Sequence, residues 1–160
     1  MDDFSGRVFE GRTGPLEGKR LAIVVSRYNE TITEKLLLAA IEKLREHGFK
    51  DQQIDLYRVP GAWEITLAAK QALESTSAVI CLGAVIRGET THDVHINTTV
   101  SAQLGQLMME SGKPVAFGVL TCNNLEQAIQ RSGGSVGNKG CEAVDSAVEM
   151  LRLIDRAATE

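Results

Sequence analysis

Residues 78–86 read Ala78-Val79-Ile80-Cys81-Leu82-Gly83-Ala84-Val85-Ile86, a near-continuous apolar run that ends at Arg87-Gly88-Glu89-Thr90-Thr91-His92. A short unbroken apolar run of this kind predicts a strand buried on both faces, as in a parallel sheet. The amphipathic stretch Val94–Met109 that follows predicts a helix. The six-residue loop between them therefore sits at the carboxyl end of a strand, where open α/β sheets place their ligands. One glycine, two threonine hydroxyls, backbone N–H groups beside a helix start and a histidine all suit an anion. The same residues would equally serve an ordinary connection that caps the helix. The loop alone does not separate these readings.

Outward from this stretch the pattern repeats. Leu21–Val25 reads as a buried strand that ends in the polar turn Ser26-Arg27-Tyr28-Asn29. Thr31 and Glu34 have the spacing of a capping box, and Ile32, Leu36, Leu37, Ala40, Ile41 and Leu44 follow helical spacing up to Gly48, a helix stop. Ile54–Val59 predicts a second strand broken by Pro60-Gly61, and Ala62–Leu73 a second helix. Val115–Leu120 predicts a fourth strand and Asn124–Gln130 a short helix capped by Asn124. A glycine-rich loop, Ser132–Gly140, leads to a last helix over Glu142–Ile154. Strand and helix alternating in this way predict a parallel sheet with right-handed crossovers. The economical arrangement is a flavodoxin-like three-layer α/β sandwich, a four-stranded parallel sheet with helices on both faces. Residues 1–17 read as an N-terminal arm, with a short extended piece at Arg7-Val8-Phe9, and residues 18–160 as a single domain. The outer strands of so small a sheet need cover from the arm or from a neighbouring subunit, so a homo-oligomer is expected.

Composition narrows the function classes. A chain of 160 residues with 43% hydrophobic and 24% charged residues suits one soluble domain with a real core. A net charge of −4 gives no footprint for nucleic acid or an acidic membrane, so any anion site must be local. The three cysteines show no CxxC or Cys/His ligand spacing, so no metal is expected. Cys81 and Cys122 read as small core residues in a reducing compartment. Met1-Asp2-Asp3-Phe4 lacks the basic start of a secretory leader and no apolar run approaches membrane-spanning length, so a cytoplasmic location is expected.

The four strand ends then deserve comparison. They carry Tyr28, the group Pro60-Gly61-Ala62-Trp63-Glu64, the loop to His92, and Thr121-Cys122-Asn123-Asn124. The only tryptophan and one of two tyrosines fall in these loops of a chain with 4% aromatics. Two aromatics, a carboxylate and a histidine on one edge suggest a pocket for a flat, polar, ring-shaped ligand. Taken singly, Trp63 could be core, Glu64 a carboxylate favoured by a helix dipole, and Tyr28 an exposed turn residue. The Ser132–Gly140 loop is no phosphate loop, because GxxxxGK[ST] is absent and no strand precedes it. Arg131 beside it offers the guanidinium fork that phosphate favours. Within one subunit it stands at the far end of a helix, so any service to the pocket would cross a subunit boundary.

Arg27-Tyr28-Asn29, Val59-Pro60-Gly61-Ala62-Trp63-Glu64, Leu82 to His92, Ala116 to Thr121, Glu126 to Ile129 and Gly137-Asn138-Lys139-Gly140 together resemble the lumazine synthase family, in order from about residue 18 to 155. The resemblance implies a transferase of riboflavin biosynthesis that works without a cofactor. It would condense 5-amino-6-(D-ribitylamino)uracil with 3,4-dihydroxy-2-butanone 4-phosphate to 6,7-dimethyl-8-ribityllumazine, releasing phosphate and water. By position, Tyr28 and Trp63 would cover the pyrimidine, Ala62 and Glu64 would hold it and the ribityl chain, and Ala84, Val85 and Ile86 would offer backbone groups. Glu89 and Thr90 would cradle the phosphate and His92 would transfer protons. Phe117 and Arg131 would come from the adjacent subunit, with Lys139 close by. The family's site lies between subunits of a pentamer. The length and glycine content of Ser132–Gly140 resemble members that build a sixty-subunit icosahedral capsid.

Some residues depart from the family pattern. Tyr28 and Trp63 stand where phenylalanine is common, and Asp93-Val94-His95-Ile96-Asn97 replaces an aromatic-rich block. His95 reads as structural or solvent-facing. Glu89 would set a carboxylate beside phosphate, so its side chain is expected to point away and only its N–H to take part. Two other classes remain open at this point. A flavin-type binding module without chemistry is disfavoured, since the first loop lacks a Ser/Thr-rich phosphate cradle, and a structural shell protein is the third reading.

Overall fold

A computed structural model describes residues 5–159. Met1–Phe4, which carry the leader reading and the start of the expected arm, lie outside the described residues. The predicted central run forms β3 (Ala78–Ile86), with its first eight residues buried. It lies between β1 (Leu21–Ser26) and β4 (Val115–Cys122), and β2 (Ile54–Val59) pairs with the far side of β1, giving the order β2-β1-β3-β4. All three pairings are parallel. Helices α1 (Glu30–Glu46) and α5 (Lys139–Thr159) cover one face, and α2 (Ile65–Ala72) and α3 (His92–Ser111) the other.

The lack of alternation in β1 now has its cause. Leu21, Ile23 and Val25 point into the layer shared with α1 and α5, while Ala22 and Val24 point into the layer shared with α2. Both faces are dry, so both sets of side chains are apolar. Full burial of a leucine such as Leu36 or Leu82 contributes about 1.5–3 kcal/mol each. Cys81 lies in this interior, and burial pushes its thiol far above the ordinary range, so it is packing and no nucleophile. Cys122 is also buried, and its thiol is raised by burial with only partial relief from the Arg131 charge.

Several local expectations are corrected. Thr31 and Glu34 form no capping box, because α1 starts at Glu30 with Asn29 as its cap. Glu34 instead makes a two-pronged ion pair with Arg58 of β2, whose Nη2 lies 3.1 Å from Oε2. Those hydrogen bonds hold the Glu34 carboxyl below its usual range. The second helix is shorter than read: Ala62–Glu64 is a 3-10 turn and α2 proper begins at Ile65. The Ser132–Gly140 loop is not plain connector. After α4 (Leu125–Arg131), capped by the Asn124 side chain as read, β5 (Ser132–Gly134) and β6 (Gly137–Asn138) form a small antiparallel ribbon, and α5 begins at Lys139.

The described part of the arm contains no helix or strand, so Arg7–Phe9 pairs with no sheet. It is nonetheless seated on α5. Gly11 is buried where a Cβ would fall 1.8 Å from the Glu149 carbonyl oxygen, and Arg152 donates to the carbonyls of Gly14 (3.2 Å) and Arg12 (3.4 Å).

Candidate active site

Three loops enclose one cavity of about 570 Å³ at the carboxyl ends of β1, β2 and β3. The loop after β1 contributes Tyr28 and Asn29, and the segment after β2 contributes Pro60 through Glu64. The end of β3 contributes Ala84, Val85 and Ile86, followed by Gly88, Thr90 and then His92, Asp93 and Ile96 of the first turns of α3. With β1 flanked by β2 and β3, this is the switch point of the sheet, where the crossovers leave in opposite directions.

Backbone and side-chain bonds tie the loops to one another. Arg27 N–H donates to Val59 O at 2.8 Å and Tyr28 N–H to Pro60 O at 3.0 Å, which joins the first two loops. Asn29 Nδ2 donates to Ala84 O at 2.8 Å, which joins the first to the third. Glu64 Oε2 accepts from Gly61 N–H at 2.9 Å and fixes the turn after Pro60. The cavity is thus held open by hydrogen bonds before any ligand arrives.

Its walls divide by chemistry. Trp63 is 54% exposed and Tyr28 72% exposed, which rules out the core reading of Trp63 and presents two aromatic surfaces to whatever enters. The opposite wall is main chain. β1 pairs with β3 only as far as Val25↔Leu82, whereas β3 continues to Ile86 beside Cys122 of β4. On the β1 side, the peptide groups of the last residues of β3 have no strand partner, so donors and acceptors of a flat ring can meet them. His92 is exposed at the first position of α3, and its N–H lies 3.5 Å from Thr90 Oγ1. Glu89 is exposed and does not line the cavity.

Phe117 and Arg131 are not brought to this cavity. They line a second one of about 360 Å³ along the outer edge of β4, with Thr121, Lys139, Glu142 and Ser146. The two cavities share no residue. Phe117 is 48% exposed on a strand edge that pairs with nothing among the described residues. Arg131 Nη1 donates to Gln127 O at 3.1 Å, and Lys139 forms an ion pair with Glu142. Sequence reasoning did not pick out Asn29, Pro60, Gly61, Asp93 or Ile96 as site residues. Their shared signal was position alone, each lying at a strand end or in the first turns of α3.

Among the described residues no group of three or more His, Cys, Asp or Glu side chains is placed to hold a metal ion. Among them, too, no helix is long and apolar enough to cross a membrane.

The profile of the family described as 6,7-dimethyl-8-ribityllumazine synthase matches residues 18–155. A relative of that name from Rhodopirellula baltica is 52% identical over 146 residues, covering 90% of this chain and 94% of its own. Another of the same name from Desulfotalea psychrophila is 51% identical over 142 residues, covering 87% of this chain and 91% of its own. The matched region takes in all four strands of the parallel sheet, both of these cavities and every site residue read from the sequence, so this chain belongs to the 6,7-dimethyl-8-ribityllumazine synthase family.

Proposed function

We propose that this chain condenses 5-amino-6-(D-ribitylamino)uracil with 3,4-dihydroxy-2-butanone 4-phosphate to give 6,7-dimethyl-8-ribityllumazine, phosphate and water, as a cytoplasmic transferase of riboflavin biosynthesis. The observation that carries the reading is the single cavity in which two exposed aromatics face an unpaired strand end beside a histidine. The uracil ring lies between Tyr28 and Trp63, with its edge on the β1-side peptide groups of the segment Ala84-Val85-Ile86. Ala62 and the free oxygen of Glu64 hold the ribityl chain. The phosphate of the second substrate rests on the N–H groups of Glu89 and Thr90 in the loop just before α3.

The ring amine attacks the ketone carbon, and the resulting carbinolamine loses water to give an imine. Phosphate then leaves, and the ribityl-bearing nitrogen closes the second ring with loss of another water. His92 takes and returns the protons of these steps, an imidazole being able both to accept and to donate one. Holding both reactants in one cavity supplies effective molarity, and the phosphate contacts stabilise the leaving charge. The residues present supply these roles without a resident cofactor.

The functional unit is a homo-oligomer, for which we propose the pentamer, with the sixty-subunit capsid as its further assembly. Phe117 and Arg131 then complete the cavity of the neighbouring subunit, and residues 1–17 act as an arm on the single domain of residues 18–160. Two features support this arrangement. The phosphate site within one chain lacks a cation among its lining residues, while an arginine and a lysine stand at a separate open edge. Sedimentation velocity distinguishes monomer, pentamer and capsid.

The direct test mixes both substrates with the purified chain and follows lumazine fluorescence. Product formation supports the reading, and its absence with both substrates saturating removes it. His92→Ala is expected to slow turnover by about 10²-fold or less, the low end for acid–base catalysis, because the attacking amine is already nucleophilic. Binding of the uracil substrate, read by calorimetry, is expected to hold. Unchanged turnover would take His92 out of the mechanism.

A further inference from the structure

Asn29 is the one non-glycine residue with positive φ among the described residues, at φ 61 and ψ 45. Asparagine tolerates this left-handed region better than most side chains, though it remains an uncommon conformation. The residue caps α1 with its backbone, its carbonyl accepting from Ile32 N–H at 2.9 Å and Thr33 N–H at 3.1 Å. A helix-capping asparagine ordinarily spends its side chain on the helix's own N–H groups, and here no such bond forms. The amide turns away from α1 and donates to Ala84 O, 55 residues further along the chain.

That bond lies where the sheet is otherwise open. Beyond Val25↔Leu82 no ladder pairing holds the loop after β1 against the end of β3. Asn29 Nδ2 to Ala84 O is the direct tie between them, and it joins the residue after Tyr28 to the main chain of the cavity wall.

We propose that Asn29 is a positioning residue for the uracil ring, acting through Ala84, a role that rests on the functional reading above. The amide fixes how far the Tyr28 ring stands from the β3 main chain, and so fixes the slot in which a flat ring can both stack and hydrogen-bond. It also takes one lone pair of the Ala84 carbonyl, and because Val85 turns its peptide groups toward β4, Ile86 is left as the strand-end residue with open peptide groups on the β1 side. The four-carbon phosphate does not use this slot, so the two substrates respond differently to its loss.

The test is steady-state kinetics on the full chain with each substrate varied in turn, using Asn29→Gly and Asn29→Asp. Glycine adopts the left-handed region freely, so it removes the amide and keeps the turn. Aspartate also tolerates that region but sets an oxygen against the Ala84 oxygen. The expected result for Asn29→Gly is a rise of about five- to tenfold in KM for the uracil, the worth of one hydrogen bond. A larger rise is expected for Asn29→Asp. KM for the phosphate substrate is expected to stay within about twofold and the urea midpoint to hold. The proposal is overturned if uracil KM is unchanged in both variants. It is overturned equally if both KM values rise together with a fall in the urea midpoint, which is what general loosening would produce. A wild-type chain that makes no lumazine removes the functional reading and this role with it, whereas an active wild type beside unchanged variants removes the role alone.

Discussion

Arg131→Ala is expected to lower kcat/KM for the four-carbon phosphate by about 10²-fold, the combined worth of two charge-assisted hydrogen bonds to a phosphate. KM for the uracil is expected to change little, because Arg131 stands in the cavity along β4 and the aromatic slot is built elsewhere. Equal weakening of both substrates would assign Arg131 to packing, where its bond to Gln127 O already gives it a local task. A sharper version uses two defective chains. On the proposed arrangement each catalytic centre takes His92 from one subunit and Arg131 from its neighbour. Coexpressed His92→Ala and Arg131→Ala chains then form some centres with both residues intact. Specific activity of the mixed assembly is expected to exceed that of either variant alone. Activity no higher than the mean of the two would place both residues in one chain's site.

Gly140→Ala is expected to destabilise the fold by about 3 kcal/mol, at the upper end of what overpacking costs. Gly140 lies in the first turn of α5, buried against α1. A Cβ there would fall 2.2 Å from the Leu36 carbonyl oxygen and 2.9 Å from Asn138 Oδ1. The first of these is backbone of another helix, so no side chain can rotate out of the way. The two helices must separate, and the layer holding Leu36, Leu37, Val144 and Ala147 opens with them. Urea unfolding reads the effect as a lower midpoint at unchanged slope. A loss below about 1 kcal/mol would show that α5 can shift without cost to that layer.

The sheet was legible because its strands are extreme. The nine residues from Ala78 to Ile86 carry no charge, and a run of that length and composition has few other places in a small domain. Helix ends were legible where the signal was local: Gly48 takes φ 93 after α1, and the Asn124 side chain accepts from Gln127 N–H at 3.0 Å. They were misread where a distant residue competed. Thr31 and Glu34 have capping-box spacing, but Arg58 on β2 offers Glu34 a full charge and two donors, more than one backbone N–H can give. The ribbon of β5 and β6 was hidden for another reason. Its five strand residues include three glycines and carry no apolar alternation.

In the site, residue type marked Tyr28, Trp63, Glu64 and His92, and the cavity lining includes all four. Asn29 was passed over because its task is a bond to a carbonyl 55 positions away, and nothing in its neighbours announces that partner. Phe117 and Arg131 were picked out with Tyr28 and the rest, yet the fold keeps them at another edge. A list of residues does not reveal which chain of an assembly supplies each one.

The early end of the β1–β3 ladder bears on how such a site can drift over generations. Where a ring is read by peptide groups, the identity of the residue that owns each peptide matters little. Side chains at Ala84, Val85 and Ile86 answer to the packing layers on either side of the sheet, and a change there that respects volume leaves the main chain of the cavity wall in place. Proline is the exception, since it deletes the N–H itself. Substrate preference in this part of the cavity is therefore buffered against most single-codon changes, while the neighbouring aromatic positions, read through their side chains, are free to retune it.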